Sequence, residues 1–273
     1  MKVDLHVHSN CSDGSDDALK LSEIMKKAGV DLFALTDHDT VEGCRSLKGD
    51  YIRGVELTCL CGKIKCHILG YGVDIDNPEL SALIEKGKIL RRQKLETRIK
   101  YLKEVHGIEL TKDELDWLYS RKSVVKTHLA NVLVNRGLAS NNIEAMKKYL
   151  DDCKTGNTRF DGEEAVRAII SAGGIPVWAH PLGGEGERHL SKEEFLPELD
   201  KMSALIQGLE CYYSRYNMKE IRFLVECAEK YGLLISGGSD YHGKNKDIPA
   251  GRLNTEEEFI ENEKLTILSH LKV

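Results

Sequence analysis

The chain has 273 residues, of which 41% are hydrophobic and 30% charged, with a formal charge of -5. That balance excludes disordered, collagen-like and fibrous classes, and the length allows one large α/β barrel or one domain carrying an insertion. No apolar run approaches the roughly 20 residues of a membrane-crossing helix, and residues 1–8 lack the apolar core of a signal peptide, so a cytoplasmic protein without membrane contact is expected.

Residues 1–8 alternate apolar and polar, as a short strand does. Ser15, Asp16 and Asp17 suit the start of a helix striped by Leu21, Met25 and Ala28 and ended by Gly29. Residues 30–35 read as a buried strand that stops at Thr36-Asp37-His38-Asp39. Residues 53–60 form another, Gly62-Lys63 turns the chain, and residues 64–69 return. Farther on, residues 163–172 are helical and end at Gly173-Gly174. Strands follow at 175–179 and 208–212, then a helix over 217–231 closed by Gly232. A last strand at 233–236 runs into Gly237-Gly238-Ser239-Asp240-Tyr241-His242. Strands alternating with helices predict an α/β fold with a largely parallel sheet.

Residues 88–154 differ in character. They are helical and basic, with 15 Lys+Arg against 9 Asp+Glu, which puts +6 on this stretch and -11 on the remainder. The stretch reads as an inserted helical subdomain interrupting a domain made of residues 1–87 and 155–273, although a merely solvated helical surface has the same composition. The eight cysteines are expected to be reduced. Only Cys59, Cys61 and Cys66 are close together, and their spacing does not match the paired cysteines of structural zinc sites, so they read as strand-face thiols.

The polar residues with chemical potential collect where strands end. His6 and His8 close the first strand, and alternate residues of a strand point the same way. Asp13 follows, His38 closes the second strand, Glu56 lies in the third and His67 in its return. His180 closes a later strand, and Asp240 and His242 follow the last. In a parallel barrel these ends converge on one face, where active sites sit. Six histidines and three carboxylates so placed are poorly explained by packing, and bare carboxylates so close would repel. Divalent ions remove the conflict. Nine ligands exceed the needs of one ion and suggest two or three, and the mixed set suits zinc, manganese or iron better than calcium. Paired ions activate water and hold a leaving oxygen, which is the chemistry of phosphate-ester hydrolysis.

These elements resemble the polymerase and histidinol phosphatase (PHP) family. The resemblance rests on Asp4-Leu5-His6-Val7-His8-Ser9 with Ser12-Asp13-Gly14, then Leu35-Thr36-Asp37-His38-Asp39-Thr40 and Gly54-Val55-Glu56. It continues through His67-Ile68-Leu69-Gly70-Tyr71, Ala179-His180-Pro181 and Gly238-Ser239-Asp240-Tyr241-His242-Gly243, spanning nearly the whole chain. It implies a distorted seven-stranded β/α barrel with a trinuclear metal centre. One ion would take His6, His8, Glu56 and Asp240; a second Glu56, His67 and His180; a third Asp13, His38 and His242. The nucleophile would be water or hydroxide bridging two ions, with Asp240 or His242 assisting proton transfer.

The chain also resembles the stand-alone branch of that family that acts on nucleotides, including 3′,5′-nucleotide bisphosphates and the 5′ ends of short RNA. That branch carries a helical insert at the position of residues 88–154. Val125-Lys126-Thr127-His128-Leu129-Ala130 is similar to a segment that is often Arg-Pro-His in relatives, with Lys126-Thr127 here in place of Arg-Pro. Lysine keeps the charge and loses the bidentate fork. A basic insert over an acidic barrel independently suits a polyanionic substrate, with Arg91, Lys126, His128 and Arg215 as candidate contacts. The expected function is a metal-dependent phosphoesterase acting on a small phosphorylated substrate such as a 3′,5′-nucleotide bisphosphate. The alternatives are a histidinol-phosphate or cyclic-phosphate hydrolase, a 5′-3′ exonuclease on short single-stranded RNA, and a non-enzymatic metal-binding regulator.

Overall fold

The apolar runs of the sequence become the strands of one sheet. A computed structural model describes residues 1–156, 159–184 and 187–272. In chain order it contains β1 (Val3–Val7), α1 (Leu21–Lys27), β2 (Leu32–Leu35), α2 (Glu42–Ser46), β3 (Ile52–Cys61) and β4 (Ile64–Tyr71). Four helices follow: α3 (Pro78–His106), α4 (Lys112–Tyr119), α5 (Lys126–Asn135) and α6 (Asn142–Tyr149). The chain then returns through β5 (Phe160–Asp161), α7 (Gly162–Ser171), β6 (Ile175–Trp178), α8 (Lys192–Met202), β7 (Gly208–Tyr213), α9 (Met218–Tyr231) and β8 (Leu234–Gly238).

The strand order is β1-β2-β3-β4-β6-β7-β8, with the short β5 paired to β3 off this path. Neighbours run parallel except at β4, which is antiparallel to both β3 and β6. β1, β2 and β7 are buried along their whole length, as strands covered on both faces are. The ends meet: Tyr241, just past β8, bridges Val7, and the His8 N–H donates to the Tyr241 carbonyl at 2.9 Å. Gly238 permits this approach, because a Cβ there would stand 2.2 Å from the Cβ of His6. The result is the expected distorted seven-stranded barrel, with helices outside it. α9 shows how they attach, burying Ile221, Leu224, Cys227 and Ala228 on one face.

A second hydrophobic cluster lies apart from the barrel core. Leu95 and Leu102 of α3 pack there with Leu118, Leu129, Leu133, Ala145 and Leu150. α3 belongs to both cores, since its Leu80, Leu83 and Ile84 pack with the barrel. The helix starts at Pro78 under an Asn77 cap, ends at the left-handed Gly107, and runs unbroken through position 88. Its 29 residues make a rod of about 43 Å. One continuous helix therefore joins the barrel to the basic segment, and no linker separates them.

Gly87 marks the crossing. A Cβ there would stand 2.4 Å from Cζ of Phe160, whose ring is fully buried. Alanine is intrinsically the better helix former by about 1 kcal/mol, but overpacking a rigid core costs about 1–3 kcal/mol. Gly87→Ala is expected to destabilise the protein by about 1–2 kcal/mol and lower its thermal midpoint by several degrees. An unchanged or raised midpoint in calorimetry would contradict this packing.

Candidate metal centre

The strands deliver the nine candidate ligands to one place, around Glu56. This carboxylate is fully buried on β3. Its Oε1 lies 2.9 Å from His67 Nδ1 and 3.2 Å from His180 Nε2. Its Oε2 lies 3.3 Å from His6 Nε2, 3.2 Å from His8 Nε2 and 3.1 Å from His38 Nδ1. The backbone sets much of this. His38 bridges Glu56 where the chain beyond β2 stays beside β3, and His67 sits on β4 opposite Thr58. Asp240, just past β8, brings Oδ1 to 3.3 Å from His8 Nε2 and 3.6 Å from His6 Nε2. Asp13, in the loop after β1, lies 3.0 Å from His242 Nε2 and 3.6 Å from His8 Nδ1. Three groups of donor atoms thus fall within 4.8 Å: His6, His8, Glu56 and Asp240; His8, Asp13, His38 and His242; and His38, Glu56 and His67. The first group is the one the family resemblance implied. In the others His8 joins the Asp13 set, and His38 stands beside His67 where His180 was expected. His180 approaches Glu56 from the other side.

The proton positions fit divalent ions. His6 Nδ1 meets the Glu210 carboxylate at 2.9 Å, and a carboxylate only accepts, so Nδ1 carries a proton and, in the neutral ring, the Nε2 lone pair faces Glu56. His242 Nδ1 likewise donates to the Asp240 carbonyl at 2.7 Å, turning its Nε2 lone pair toward Asp13. A lone pair aimed at a carboxylate oxygen is repulsive unless a cation lies between them. His6 Nε2, His8 Nε2, His38 Nδ1, Glu56 Oε2 and His242 Nε2 are all buried without a hydrogen-bond partner. Donors around a tetrahedral ion with bonds near 2.1 Å stand about 3.4 Å apart, which matches these separations.

The electrostatics point the same way. Burial opposes charge on Glu56, but His38, His6 and His67 hold its carboxyl well below the usual range. Burial also lowers the His8 and His180 imidazoles, yet the carboxylates around them outweigh it and push these up to about 9 and about 10. The site is built for positive charge.

Several supporting residues carry no signal in the ligand pattern. Glu210, buried in β7, takes the His6 ring on one oxygen and the His180 backbone N–H on the other at 2.7 Å. Asp37 accepts from the Ser9 N–H, the Ser9 hydroxyl and the Ser12 hydroxyl, fixing the loop that carries Asp13. Asp4 does the same for Ser239 and Gly251 beside Asp240. A charged residue in an otherwise apolar buried strand was the available sign for Glu210. Backbone strain also collects here: Asp39, His180 and Asp240 all have positive φ, each a cost of about 1–3 kcal/mol that functional sites commonly retain.

The four expected substrate contacts separate. Arg91 and Lys126 line a cavity of about 210 Å³ that opens onto Asp13, His38 and His67. Arg91 pairs with Asp39 and Thr58, and Lys126 with Asp151. Sequence reasoning missed the other two cations of this cavity, Lys94 and Arg98. Neither has an ion-pair partner among the described residues, and Arg98 Nε is buried without a hydrogen bond. Burial, together with Arg98, Arg159, Arg91 and Lys126, pulls the Lys94 ammonium down to about 8. His128 takes another post. Its Nδ1 accepts the Val125 N–H at 3.1 Å at the start of α5, its ring meets the Ser12 backbone, and burial pulls it down to about 4. It is a neutral strut between α5 and the Asp13 loop. Arg215 is exposed in the turn between β7 and α9, outside this cavity.

No family model matches the chain. Among characterised relatives, a 3′,5′-nucleoside bisphosphate phosphatase of Chromobacterium violaceum is 30% identical over 90% of this chain and 92% of its own length. The chain belongs to the PHP family. A phosphoribosyl 1,2-cyclic phosphate 1,2-diphosphodiesterase of Eggerthella lenta is also 30% identical, over 91% of this chain and 97% of that protein. A 5′-3′ exoribonuclease of Haemophilus influenzae is 30% identical over 90% and 95%. The fold is shared with a crystal structure from Bifidobacterium adolescentis described as a metal-dependent phosphoesterase, with a TM-score of 0.82 at 24% identity over 99% of this chain and 97% of that one. The protein is a metal-dependent phosphoric ester hydrolase, as the sequence led us to expect. Among the described residues, no helix is long and apolar enough to cross a membrane.

Glu210→Gln tests the support of the PHP centre. The amide keeps a single acceptor oxygen and sets an NH2 in place of the other, so either the His180 N–H or the His6 ring loses its partner. Its Mn²⁺ affinity is expected to fall about 10–100-fold with the circular dichroism spectrum unchanged. Equal affinity in a metal titration would remove Glu210 from the centre.

Proposed function

We propose that the protein removes phosphate from small substrates bearing a second anionic group, with a 3′,5′-nucleoside bisphosphate as the best-fitting example. His6, His8, Asp13, His38, Glu56, His67, His180, Asp240 and His242 would hold two or three manganese, zinc or iron ions. Such ions polarise phosphoryl oxygens and lower the pKa of water in the site to about 7. The protein supplies the rest. Glu56 offers both oxygens, Glu210 and the Asp240 carbonyl fix ring tautomers, and the buried walls exclude bulk water. His242 Nδ1 is held by the Asp240 carbonyl with its Nε2 turned toward Asp13, and both oxygens of Asp240 are engaged, which favours metal holding over proton transfer for this pair.

The observation that carries the substrate reading is the cationic cavity beside Asp13, His38 and His67, with Lys94 and Arg98 unpaired. Half-buried cations with no ion-pair partner are costly, and an anionic ligand offsets that cost. A group esterified near the metals places a second phosphate within this cavity's reach. The name of the Chromobacterium relative supports the same class.

One observation favours extension to short RNA. A second groove, lined by Lys88, Arg92, Tyr119, Arg121 and Lys122, shares Val124 with the first cavity. Arg92 lies over the Tyr119 ring at 4.3 Å and Arg121 over Trp117 at 5.0 Å. Basic grooves edged by aromatic rings suit single strands.

The test is phosphate release by Mn²⁺-loaded protein from 3′,5′-adenosine bisphosphate, AMP, histidinol phosphate, a cyclic phosphate diester and a short 5′-phosphorylated RNA. The bisphosphate is expected to be the best substrate, and His6→Ala and Asp240→Asn to abolish its turnover. Lys94→Met with Arg98→Met should raise KM for the bisphosphate about 10–100-fold, the loss of one or two charge-assisted contacts, and leave AMP nearly unaffected. Equal KM increases for both substrates would refute the second-anion site. Preference for the cyclic diester would move the substrate to that class.

A further inference from the structure

The loop after β8 places a cation against a candidate ligand. Lys246 Nζ donates to Asp240 Oδ2 at 2.6 Å, and the Tyr213 hydroxyl donates to the same oxygen at 3.0 Å. Asp240 Oδ1 is the oxygen turned toward His6 and His8. The two oxygens of one carboxylate are thus divided, one toward the centre and one toward an ammonium and a phenol. The Lys246 side chain is only 22% exposed, so its charge is poorly screened. Its place is fixed by neighbours. The Ser15 hydroxyl accepts the Lys244 N–H at 2.7 Å, and Asn245 Nδ2 donates to the Asp13 carbonyl at 2.7 Å. This stitches the segment that carries Lys246 to the loop that carries Asp13. The strained φ of 61° at Asp240 fixes the other partner.

We propose that Lys246 is a positioning residue that reserves Asp240 Oδ2, leaves Oδ1 alone for the metals, and lowers metal affinity in exchange for a rigid, electron-poor site. This rests on the metal-site reading above. An ammonium beside a carboxylate repels any divalent ion sharing that carboxylate, so Lys246 weakens metal binding. It would also leave Asp240 a single oxygen to offer a metal, so that fewer protein ligands compete with a phosphoryl group. A residue that merely held the loop would act otherwise, because its loss would weaken metal binding and turnover together.

Lys246→Met nearly keeps the side chain's length and removes its charge. Lys246→Arg keeps charge and donor, and Tyr213→Phe removes only the neutral donor. Mn²⁺ dissociation constants would be measured by competition with a chelating dye, and kcat and KM by phosphate release. Lys246→Met is expected to bind Mn²⁺ about tenfold more tightly while kcat falls at least tenfold. Lys246→Arg should return both values toward the parent, and Tyr213→Phe should lower kcat without tightening the metal. Weaker or unchanged Mn²⁺ binding in Lys246→Met would overturn the proposal, as would tighter binding with undiminished kcat. If Lys246→Met fails to fold, Lys246→Arg with parental affinity beside Tyr213→Phe with tightened metal would equally overturn it. Failure of the parent protein to bind Mn²⁺ would instead strike the metal-site reading itself.

Discussion

One buried carboxylate constrains everything around it. Glu56 sits inside the barrel with five imidazoles within 3.3 Å of its two oxygens. An ionised carboxylate taken out of water is destabilising by several kcal/mol unless cations meet it. Histidines alone can provide that charge only by binding a second proton on rings that burial drives toward neutrality, and His6 already commits its Nδ1 to Glu210. Divalent ions would resolve the arrangement: Glu56 and the inward-facing ring nitrogens would hold them, and their charge would relieve the close approach of Asp13 and Asp240. The fold's stability and its chemistry meet at this residue.

The barrel is distorted to make that meeting possible. β4 runs against both its neighbours, so His67 arrives from a hairpin and not from the end of a parallel strand. β8 closes on β1 through a glycine pressed against His6, which brings Asp240 and His242 to the same cluster. Left-handed backbone at His180 and Asp240 turns those side chains inward. The basic helices join by a different route. α3 leaves the barrel core, passes Phe160 at Gly87 and carries Arg91, Lys94 and Arg98 along a single rod to the mouth of the site. A helix continuous across both cores transmits position better than a flexible linker would.

Much of this was legible in the sequence. The seven barrel strands and the helices at 162–171 and 218–231 lie within a few residues of their expected places, because apolar runs closed by glycine or by polar clusters are strong signals. The convergence of these histidines and carboxylates was legible for the same reason, since such residues at strand ends have few structural uses. What was hidden depended on three dimensions. The two-residue β5 is too short to show any period. α8 was overlooked although Ser191 and Glu194 form its capping box, and its interior Pro197 disguised the pattern. Position 88 looked like a boundary because charge changes there, whereas the helix itself begins at Pro78. His128 looked like a ligand for phosphate, but its ring is occupied at the start of α5. Lys94 and Arg98 were indistinguishable from other helix-face cations until the cavity brought them together. Lys246 gave no sign at all, since a lysine six residues after an aspartate is unremarkable without the turn between them.

Divalent ions around Glu56, with an anionic substrate spanning from them to the basic cavity, would unite these features. Anomalous diffraction from crystals soaked with Mn²⁺ and a non-hydrolysable 3′,5′-nucleoside bisphosphate analogue tests this arrangement most directly. Two or three manganese peaks are expected among Glu56, the six histidines, Asp13 and Asp240, with a second phosphate beside Lys94 and Arg98. Manganese peaks elsewhere, or an analogue bound with its second phosphate away from those two residues, would contradict it.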